Sequence, residues 1–319
     1  MARELVDQGR AVTILTRGRP TTPDMAYVLK DHANRLATEI ASVEDLAALL
    51  AVFERVKPAT VVHSASNVEV SRLFRDPYLA FQTNVTGTLN VLEAARRSGV
   101  QRVVDISSIG VLPRNQYEPI DAAHPIMLAR EGPGSGAYGA AKASGELFAF
   151  AYERAYGLDT RIVRPSAVYG LGMQWHSANY MKEFVEPAVR GEKVKVPSGG
   201  RLPRDYTHVL DVASLTVRVV DCDEDADRIF YAATGGPLVT AAQAAQLVAE
   251  LIPGSSVEVA DVMTPDDLVE ASFRGVISIE NARAQLGWAP RFASLREGVQ
   301  EYISTYRAYL AGRLWGPAS

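Results

Sequence analysis

The stretch VVDISS, at residues 103–108, decides the fold. Its apolar, β-branched start predicts a buried strand, and two serines follow at the carboxyl end of that strand. Similar runs stand on either side, namely AVTILT at 11–16, TVVHSA at 60–65 and RIVRP at 161–165. Helical segments separate these runs: one begins at a capping box of Ser42 and Asp45, and two more cover about 77–98 and 138–156. Such alternation predicts an α/β fold, a doubly wound parallel sheet with helices on both faces.

The alternation loosens beyond Gly170, where loops rich in glycine and proline follow, such as VPSGGRLP at 196–203. A strand-like segment, RIFYAAT, stands at 228–234, and helices are predicted near 240–252 and 294–312. We therefore predict two domains. Residues 1–169 and 204–234 form the sheet domain, and residues 170–203 and 235–319 form a smaller α/β domain set over the sheet.

Composition excludes several classes of protein. The chain has 319 residues, 47% of them apolar and 22% charged, with a formal net charge of −4. No cluster of lysine and arginine interleaved with aromatic residues indicates a nucleic-acid site. The single cysteine, Cys222, and five scattered histidines offer no disulfide and no metal-ligand spacing, which fits a reducing, cytoplasmic setting. No apolar stretch reaches the roughly 18–20 residues that span a bilayer. From these three observations together we expect no nucleic acid, no metal and no membrane as partner.

Two side chains of the segment YGAAK suggest a chemistry. Tyr138 and Lys142 stand four residues apart on a predicted helix, so both project from one face. A free tyrosine has a pKa of about 10, and a neighbouring ammonium group lowers that pKa by stabilising the phenolate. Ser108, roughly 30 residues earlier, is placed to hold a substrate alcohol or carbonyl beside the phenol. Taken singly, each of the three residues also fits a plain structural role.

With these residues in place, the chain resembles the extended short-chain dehydrogenases/reductases, and among them the NAD-dependent epimerase/dehydratase family. The resemblance covers almost the whole chain and rests on the order of its motifs, which are VTILTR at 12–17, TVVHSAS at 60–66, NVTGTLNVLEAA at 84–95, VVDISSIGV at 103–111, YGAAKASGE at 138–146, RPSAVYG at 164–170, RDYTHVLDVA at 204–213 and LGWAP at 286–290. It implies a Rossmann-type sheet domain that binds a dinucleotide, NADP or NAD, beside a substrate-binding domain.

The resemblance also implies roles for individual residues. Tyr138 would be the catalytic acid and base, Lys142 would bind the nicotinamide ribose and tune Tyr138, and Ser108 would orient the reacting oxygen. The further cofactor contacts it implies are Glu39 and Ile40 at the adenine, Ala65 and Ser66 along the cofactor backbone, Asn84 near the cofactor, and the segment from Pro165 to Val168 at the nicotinamide.

The end of the strand VTILT bears on the choice of cofactor. An acidic side chain at this place accepts hydrogen bonds from the ribose hydroxyls of NAD and repels a 2′-phosphate. This chain has Thr16 and Arg17 instead, and a guanidinium forms paired, charge-assisted bonds to phosphate. The pair favours NADP, although Arg17 also suits a solvated surface turn.

The usual opening of a dinucleotide-binding sheet is not found in the sequence. Such a sheet begins with a strand, a glycine-rich turn and a helix whose N-terminus faces the pyrophosphate. Nothing like Gly-x-x-Gly-x-x-Gly precedes Arg3, and ARELVDQGRAVTIL at 2–15 resembles the back half of that first helix running into the second strand. We expect Met1 to be a misassigned or artificial start. The other explanation is a shortened homologue that no longer binds a dinucleotide in the normal way.

The first hypothesis for the reaction is epimerisation of a nucleotide sugar by transient hydride transfer at a substrate hydroxyl. Arg204 and Asn179 resemble positions that hold the diphosphate of the nucleotide in family members. Three departures from the family pattern count against this hypothesis. Ala167 replaces a common asparagine, Ser278 replaces a common aspartate, and Arg274 lies close to the second diphosphate contact without aligning with it.

Other readings of the sequence stay open. Dehydration fits less well than epimerisation, because Ile109 and Gly110 follow Ser108 where a dehydratase usually has an aspartate and a glutamate. One alternative is an NADP-dependent ketone reductase or alcohol dehydrogenase that uses the same three residues on a non-nucleotide substrate. The other is a cofactor-free, truncated homologue that is not an enzyme. In the family, homodimers form through helices equivalent to 77–98 and 138–156, so we expect a homodimer.

Overall fold

The computed structural model describes residues 1–18, 21–126, 134–173, 181–292 and 294–314. Its helices are Ala2–Asp7 (α1), Pro23–Leu29 (α2), Leu46–Val56 (α3), Val70–Arg75 (α4), Pro77–Ala80 (α5), Gly87–Arg97 (α6), Gly136–Tyr156 (α7), Met181–Val189 (α8), Val209–Val220 (α9), Ala241–Leu251 (α10), Pro265–Ser272 (α11), Glu280–Leu286 (α12) and Leu295–Leu314 (α13). Its strands are Val12–Thr16 (β1), Leu36–Ile40 (β2), Thr60–His63 (β3), Arg102–Ile106 (β4), Asp159–Pro165 (β5), Ala167–Tyr169 (β6), Val194–Val196 (β7), Pro203–Arg204 (β8), Tyr206–His208 (β9), Ile229–Ala232 (β10), Val239–Thr240 (β11) and Val257–Val259 (β12).

A four-stranded parallel sheet, in the spatial order β10-β5-β4-β3, forms the centre of the fold. Successive residues of a strand point to opposite faces, so β4 and β5 supply both cores. Val103 and Ile162 pack with α3 and α6, whereas Val104 and Val163 pack with α9. Helices therefore cover both faces of the sheet, which confirms the predicted doubly wound architecture.

The strands β1 and β2 form a second parallel ladder, from Val12 opposite Leu36 to Thr16 opposite Ile40. Among the described residues, no hydrogen-bonded ladder joins these two strands to β3. The turn that follows β2 is nevertheless hydrogen-bonded to α6 and to the π-helical turn before it. Asn90 donates a hydrogen bond to the carbonyl of Val43 (3.0 Å), and Thr83 donates one to a carboxylate oxygen of Glu44 (2.7 Å).

Two helix predictions need correction in detail. The capping box predicted at Ser42 is wrong, because Asp45 caps α3: its carboxylate accepts from the amide of Ala48 (3.0 Å), while the Ser42 hydroxyl accepts from Glu44 in the preceding turn (3.2 Å). The helix predicted over 77–98 consists of α5 and α6 with a π-helical turn, Phe81–Thr86, between them. Such turns are frequent at functional sites, and this one contains Asn84.

A second core lies among α8, α10 and α13, with β6, β7, β9 and β12 around it. Phe184, Val248 and Tyr302 are among its buried side chains. By contrast, Phe273 and Trp288, which flank α12, pack into the core on the α9 side of the central sheet. The domain limits given by the sequence stay a prediction. Within the described ranges, no helix combines the length and the apolar character needed to cross a membrane.

Candidate active site

Ser108 lies directly beyond β4, at the carboxyl end where ligands of parallel sheets bind. It precedes a short 3₁₀ turn, Ile109–Val111, and its hydroxyl accepts a hydrogen bond from the amide of Gly110 (3.0 Å). An oxygen that accepts from a backbone amide keeps its own proton for donation. Ser108 is half-buried, so its hydroxyl proton is available to a substrate oxygen.

Helix α7 carries Tyr138 and Lys142 against the same end of β4. Lys142 is 4% exposed, and its ammonium donates a hydrogen bond to the carbonyl of Ile106, the last residue of β4 (2.7 Å). Tyr138 is half-buried and packs beside Leu73, Ala80 and Ala141. Burial lowers the pKa of Lys142, and the carboxylates of Asp105 and Glu146 oppose that shift. The structure thus brings all three predicted catalytic residues to one strand end.

Ser107 belongs to a buried network behind the site. Its hydroxyl donates to a carboxylate oxygen of Glu146 (2.5 Å). Arg164 donates to both oxygens of the same carboxylate, at 2.9 and 2.6 Å, and to the hydroxyl of Tyr231 at 2.8 Å. Side chains of Glu146 and Arg164 are 0% and 1% exposed. The network joins β4, β5, β10 and α7, and so fixes the strand end that presents Ser108.

Asn84 supports the loop that follows β3. Its carbonyl oxygen accepts from the amide of Asn67 (2.7 Å), and its side-chain amide donates to the carbonyl of Asn67 (2.9 Å). Asn84 itself is buried, and both of these bonds are partly buried. The loop that it holds includes Ala65, which is exposed, and Ser66, which is half-buried. Asn84 therefore holds the backbone of this loop, which forms one edge of the site.

The remaining predicted cofactor residues also lie at strand ends. Thr16 ends β1, with Arg17 exposed beyond it, and Ile40 ends β2 with 70% of its surface exposed. The carboxylate of Glu39 is paired with Arg55 (3.1 Å from Nε), which lowers the pKa of Glu39. Pro165, buried, ends β5, and Val168, half-buried, lies in β6 opposite Thr207 of β9. The roles of these residues stay predictions.

Arg204 lies in β8 and is almost fully buried in a cluster of charges. Its Nε donates to Oε1 of Glu270 (2.9 Å), and Arg274 donates to the same oxygen (2.6 Å). Burial would raise the pKa of Glu270, but the two arginines together lower it to about 2. Arg274 is 9% exposed, and its Nε and Nη1 have no hydrogen-bond partner among the described residues. Two arginines thus share one carboxylate oxygen here.

The segment that follows Ser108 is hydrogen-bonded to the segment that contains Arg274. The amide of Asn115 donates to the carbonyl of Ser272 (3.0 Å), and its side chain donates to the carbonyl of Arg274 (2.7 Å). Further along, the amide of Ile120 donates to Val276, and its carbonyl accepts from Ser278, both at 2.7 Å. The 3₁₀ turn beyond Ser108 and the cluster of Arg204, Glu270 and Arg274 are thus parts of one bonded framework.

Sequence reasoning missed several residues of this site. Glu146 and Arg164 stand within the motifs YGAAKASGE and RPSAVYG, which would have pointed to them. Ser135, just ahead of α7, carried no such signal. A Cβ atom placed on Gly110 would lie 2.5 Å from the Ser135 hydroxyl and 3.3 Å from that of Ser108, so both hydroxyls border one turn. The predicted contact Asn179 lies outside the described residues.

Comparisons with known proteins agree with this geometry. The sequence model of the NAD dependent epimerase/dehydratase family matches residues 1–233. A UDP-glucose 4-epimerase of Mycolicibacterium smegmatis is 30% identical over 271 residues, which cover 82% of this chain and 80% of that protein. A dTDP-glucose 4,6-dehydratase of Streptomyces griseus is 27% identical over 249 residues, covering 78% of this chain and 72% of that protein.

Solved structures give the same result. The crystal structure of the Thermus thermophilus UDP-glucose 4-epimerase, in complex with NAD, superposes with a TM-score of 0.80. It is 25% identical and covers 96% of this chain and 94% of that one. Fold, motif order and family match agree, and this chain belongs to the NAD-dependent epimerase/dehydratase family of extended short-chain dehydrogenases/reductases.

Proposed function

We propose that this chain is an epimerase of nucleotide sugars that works with NAD through Tyr138, Lys142 and Ser108. The observation that carries the proposal is the convergence at the end of β4. Lys142 is anchored to the carbonyl of Ile106, two residues before Ser108, and Tyr138 stands one turn earlier on the same helix. This arrangement supports a base, a cation that tunes it and a hydroxyl donor beside the reacting alcohol.

The residues fit the two ends of a dinucleotide. Ile40 exposes an apolar side chain at the end of β2, as the flat face of adenine requires. At the other end, Lys142 and Tyr138 would meet the nicotinamide ribose, beside the buried Pro165. The glycine-rich pattern that would face the pyrophosphate is not found ahead of β1, where Gly9 closes α1. A bound nicotinamide would accept a hydride from the substrate carbon and return it.

The side chains of this chain would handle the proton. Tyr138 takes the proton of the substrate hydroxyl onto its phenolic oxygen as the carbonyl forms, and gives it back when the alcohol is restored. Ser108 donates its hydroxyl proton to the same substrate oxygen, because its own oxygen already accepts from Gly110. Lys142 keeps a positive charge near the phenol, which lowers the cost of the phenolate.

The arginine cluster supports a nucleotide diphosphate as the remote part of the substrate. Arg204 and Arg274 converge on Glu270, and the two Arg274 nitrogens that have no hydrogen-bond partner among the described residues would donate to a phosphate oxygen. Epimerisation is preferred to dehydration because Ile109 and Val111 are buried apolar residues, and Gly110 between them has no side chain. The turn after Ser108 therefore offers no carboxylic acid to expel water from a sugar.

The proposal is tested with UDP-glucose and NAD. We expect formation of the C4 epimer, followed by chromatography, with no lasting change of absorbance at 340 nm because the cofactor is regenerated. Tyr138→Phe should lower turnover by about 10²–10⁴-fold while NAD affinity, measured by fluorescence titration, changes little. Tyr152→Phe, a tyrosine on the same helix whose hydroxyl contacts Glu93, serves as control and should keep turnover. Full turnover by Tyr138→Phe would exclude the assignment.

A second candidate is an NADP-dependent ketone reductase on a non-nucleotide substrate. The exposed Arg17 after β1 favours it, because a guanidinium at this place suits a 2′-phosphate. Steady consumption of NADPH with a carbonyl substrate, and no conversion of UDP-glucose, would select this reaction. Titration of NAD and NADP against the wild type and Arg17→Ala separates the two cofactors, since only NADP binding should weaken in the variant.

The proposed enzyme is a homodimer. Six large apolar side chains are exposed on α4, α5, the π-helical turn and α7, which pack against one another: Phe74, Tyr78, Phe81, Leu147, Phe148 and Tyr156. Such a concentration on one group of helices is typical of an interface. A second copy of the chain fits it because α5, α6 and α7 are the helices through which the family resemblance implies pairing. Light scattering at several concentrations tests it, and a monomer throughout would refute it.

A further inference from the structure

A second group of ionisable side chains lies behind Lys142, on the side of the central sheet. Asp105 of β4 is 2% exposed and directly precedes Ile106, whose carbonyl binds Lys142. Its neighbour in register on β3 is His63, which is also buried. Neither residue has a part in the proton transfer described above. Ionisable groups are rarely buried without a compensating partner, so their presence here requires a reason.

Close packing brings α7 onto these groups. Gly145, one turn after Lys142, has no side chain, and a Cβ atom there would lie 3.3 Å from Cγ2 of Thr88 and 3.7 Å from Oδ2 of Asp105. The glycine thus lets the helix approach the sheet until the Asp105 carboxylate lies beside the inner face of α7. Lys142 projects from that same face, one turn before Gly145.

Burial, rather than a hydrogen bond, keeps His63 neutral. Thr88 donates its hydroxyl proton to the carbonyl of Asn84 (2.7 Å), so its oxygen can only accept from Nε2 of His63 (3.0 Å). Burial, and to a smaller degree the charge of Lys142, lowers the pKa of His63 to about 3. His63 therefore carries no charge at neutral pH and contributes nothing to balance Asp105.

The other nearby carboxylate is already paired with an arginine. Glu146 receives two bonds from Arg164 and one from Ser107. Asp105 differs, because its Oδ1 is buried and has no hydrogen-bond partner in the described part of the chain. Lys142 is the cation that acts on the carboxyl of Asp105, and of the two carboxylates that act on Lys142, the charge of Asp105 has a larger effect than that of Glu146.

We propose that Asp105 is a positioning residue that keeps Lys142 in its charged form beside Tyr138. The inference rests on the proposed function, since it concerns the same site. Without Asp105, a fully buried lysine would tend to lose its proton, and a neutral amine cannot stabilise the Tyr138 phenolate. The groups that face Lys142 are His63 from β3, Asp105 from β4, and Tyr138 and Glu146 from α7, with Arg164 of β5 behind Glu146.

The balance of effects on the pair is consistent with this role. Burial is the larger effect on Asp105 and raises its pKa, while the charge of Lys142 opposes that rise. For Lys142 the signs are reversed: burial lowers its pKa, and the charges of Asp105 and Glu146 raise it. Each charged partner therefore favours the charged form of the other, and removing one of them shifts the other toward neutrality.

The first test reads the charge of Lys142 without substrate or cofactor. The chain has only six lysines, so ¹³C,¹⁵N-lysine labelling gives a simple spectrum, in which the signal lost from Lys142→Met identifies Lys142. In the wild type, the Lys142 signal should have the chemical shift of an ammonium group at pH 8. A neutral Lys142 at that pH would overturn the proposal, whatever the behaviour of any variant.

The second test removes the charge of Asp105 with little change of shape. In Asp105→Asn, or in Asp105→Ser if the asparagine variant does not fold, the titration midpoint of Lys142 should fall by about one pH unit or more. Asp211→Asn is the matched control, because Asp211 is equally buried and receives the amide of Arg291 far from Lys142. Equal midpoints in the wild type and the Asp105 variant would refute the inference.

The third test is the pH profile of turnover on UDP-glucose. Because Lys142 should lose its proton at lower pH in Asp105→Asn, the alkaline limb should move down by the same interval, and Asp211→Asn should leave it in place. A merely structural role would lower turnover equally at all pH values. If the wild type does not turn over UDP-glucose but the Lys142 midpoint shifts as expected, the proposed substrate fails and the role of Asp105 stands.

Discussion

Two buried clusters of charge, one under α7 and one at α11, are built on different principles. In the first, Glu146 and Arg164 form a two-pronged pair in which both carboxylate oxygens are bonded. In the second, Arg204 and Arg274 share a single oxygen of Glu270, and Nε and Nη1 of Arg274 have no hydrogen-bond partner among the described residues. In the first cluster, by contrast, one arginine faces one carboxylate and both oxygens of that carboxylate are bonded.

From this difference we expect the first cluster to stabilise the fold and the second to bind an anion. A complete ion pair has no free hydrogen-bond donor for a ligand. Removal of one partner leaves the other charge buried without a counter-charge, so a single substitution should lower the stability of the fold. In an incomplete cluster, buried donors lack hydrogen bonds until an anion binds. A substitution in such a cluster should therefore weaken anion binding more than it lowers stability. The experiments below break one cluster at a time and ask whether stability and binding separate in this way.

The largest effect on stability should come from Arg164→Leu. This change leaves the Glu146 carboxylate buried without its partner, and the free energy of unfolding in urea should fall by about 3–5 kcal/mol. The double variant Glu146→Leu with Arg164→Leu removes both charges and should lose less than the single variant. A double variant at least as unstable as the single one would mean that the charges themselves are not the cause.

Arg274→Leu should act mainly on binding. Loss of charge-assisted bonds to a phosphate should weaken the binding of UDP by about 100-fold, measured by calorimetry. Stability should change less than in Arg164→Leu, because Glu270 keeps its bond to Arg204. Arg283→Leu, at an exposed pair with Glu280, is the control and should leave UDP binding unchanged. Unaltered UDP affinity in Arg274→Leu would remove the distinction between the two clusters.

Acid should act on His63 and on Glu270 in different pH ranges. His63 has a pKa of about 3 in the fold against 6.5 as its ordinary value, so the unfolded chain binds the proton first and stability falls as pH drops below 6.5. Between pH 7 and pH 5 the loss should be about 2 kcal/mol. Glu270, with its pKa lowered from 4.5 to about 2, affects stability only as pH falls below 4.5. His63→Gln should therefore flatten the urea stability between pH 7 and pH 5, and an unchanged slope would contradict a neutral His63.

The smallest expected effect is that of Glu270→Gln. Removing the carboxylate that competes with a phosphate for Arg204 and Arg274 should raise the affinity for UDP by about fivefold, or ~1 kcal/mol. Glu280→Gln, which also neutralises a glutamate but at the exposed pair, should have no effect. If affinity falls instead, Glu270 serves to orient the arginines rather than to occupy their site.

Local patterns predicted the framework well. The alternation of strands and helices gave the doubly wound sheet, and the motifs gave the family, since both depend on residues that are near in sequence. Ser42 was chosen as a cap because its spacing to Asp45 fits a capping box, yet Asp45 itself receives the amide of Ala48. Spacing shows which residues are able to cap a helix, and the approach of the preceding chain decides which one does.

The charge clusters could not be predicted in the same way. Arg204 and Arg274 are 70 positions apart in the sequence and meet at Glu270. In the sequence, Asp105 is one polar residue within the strand VVDIS. The close approach of α7 at Gly145 shows that its carboxylate lies beside the inner face of that helix. Such contacts depend on the packing of distant elements, about which periodicity carries no information.

In the proposed epimerase, the hydrogen bonds between Asn115 and the segment that contains Arg274 would link the far end of the substrate to its reacting end. An anion that settles on Arg274 would stiffen the chain leading back to Ser108, at the reacting end. Part of the binding energy of the nucleotide diphosphate would then raise the rate of the reaction rather than the affinity for the substrate. A sugar phosphate that lacks the nucleoside should accordingly react more slowly even at saturation.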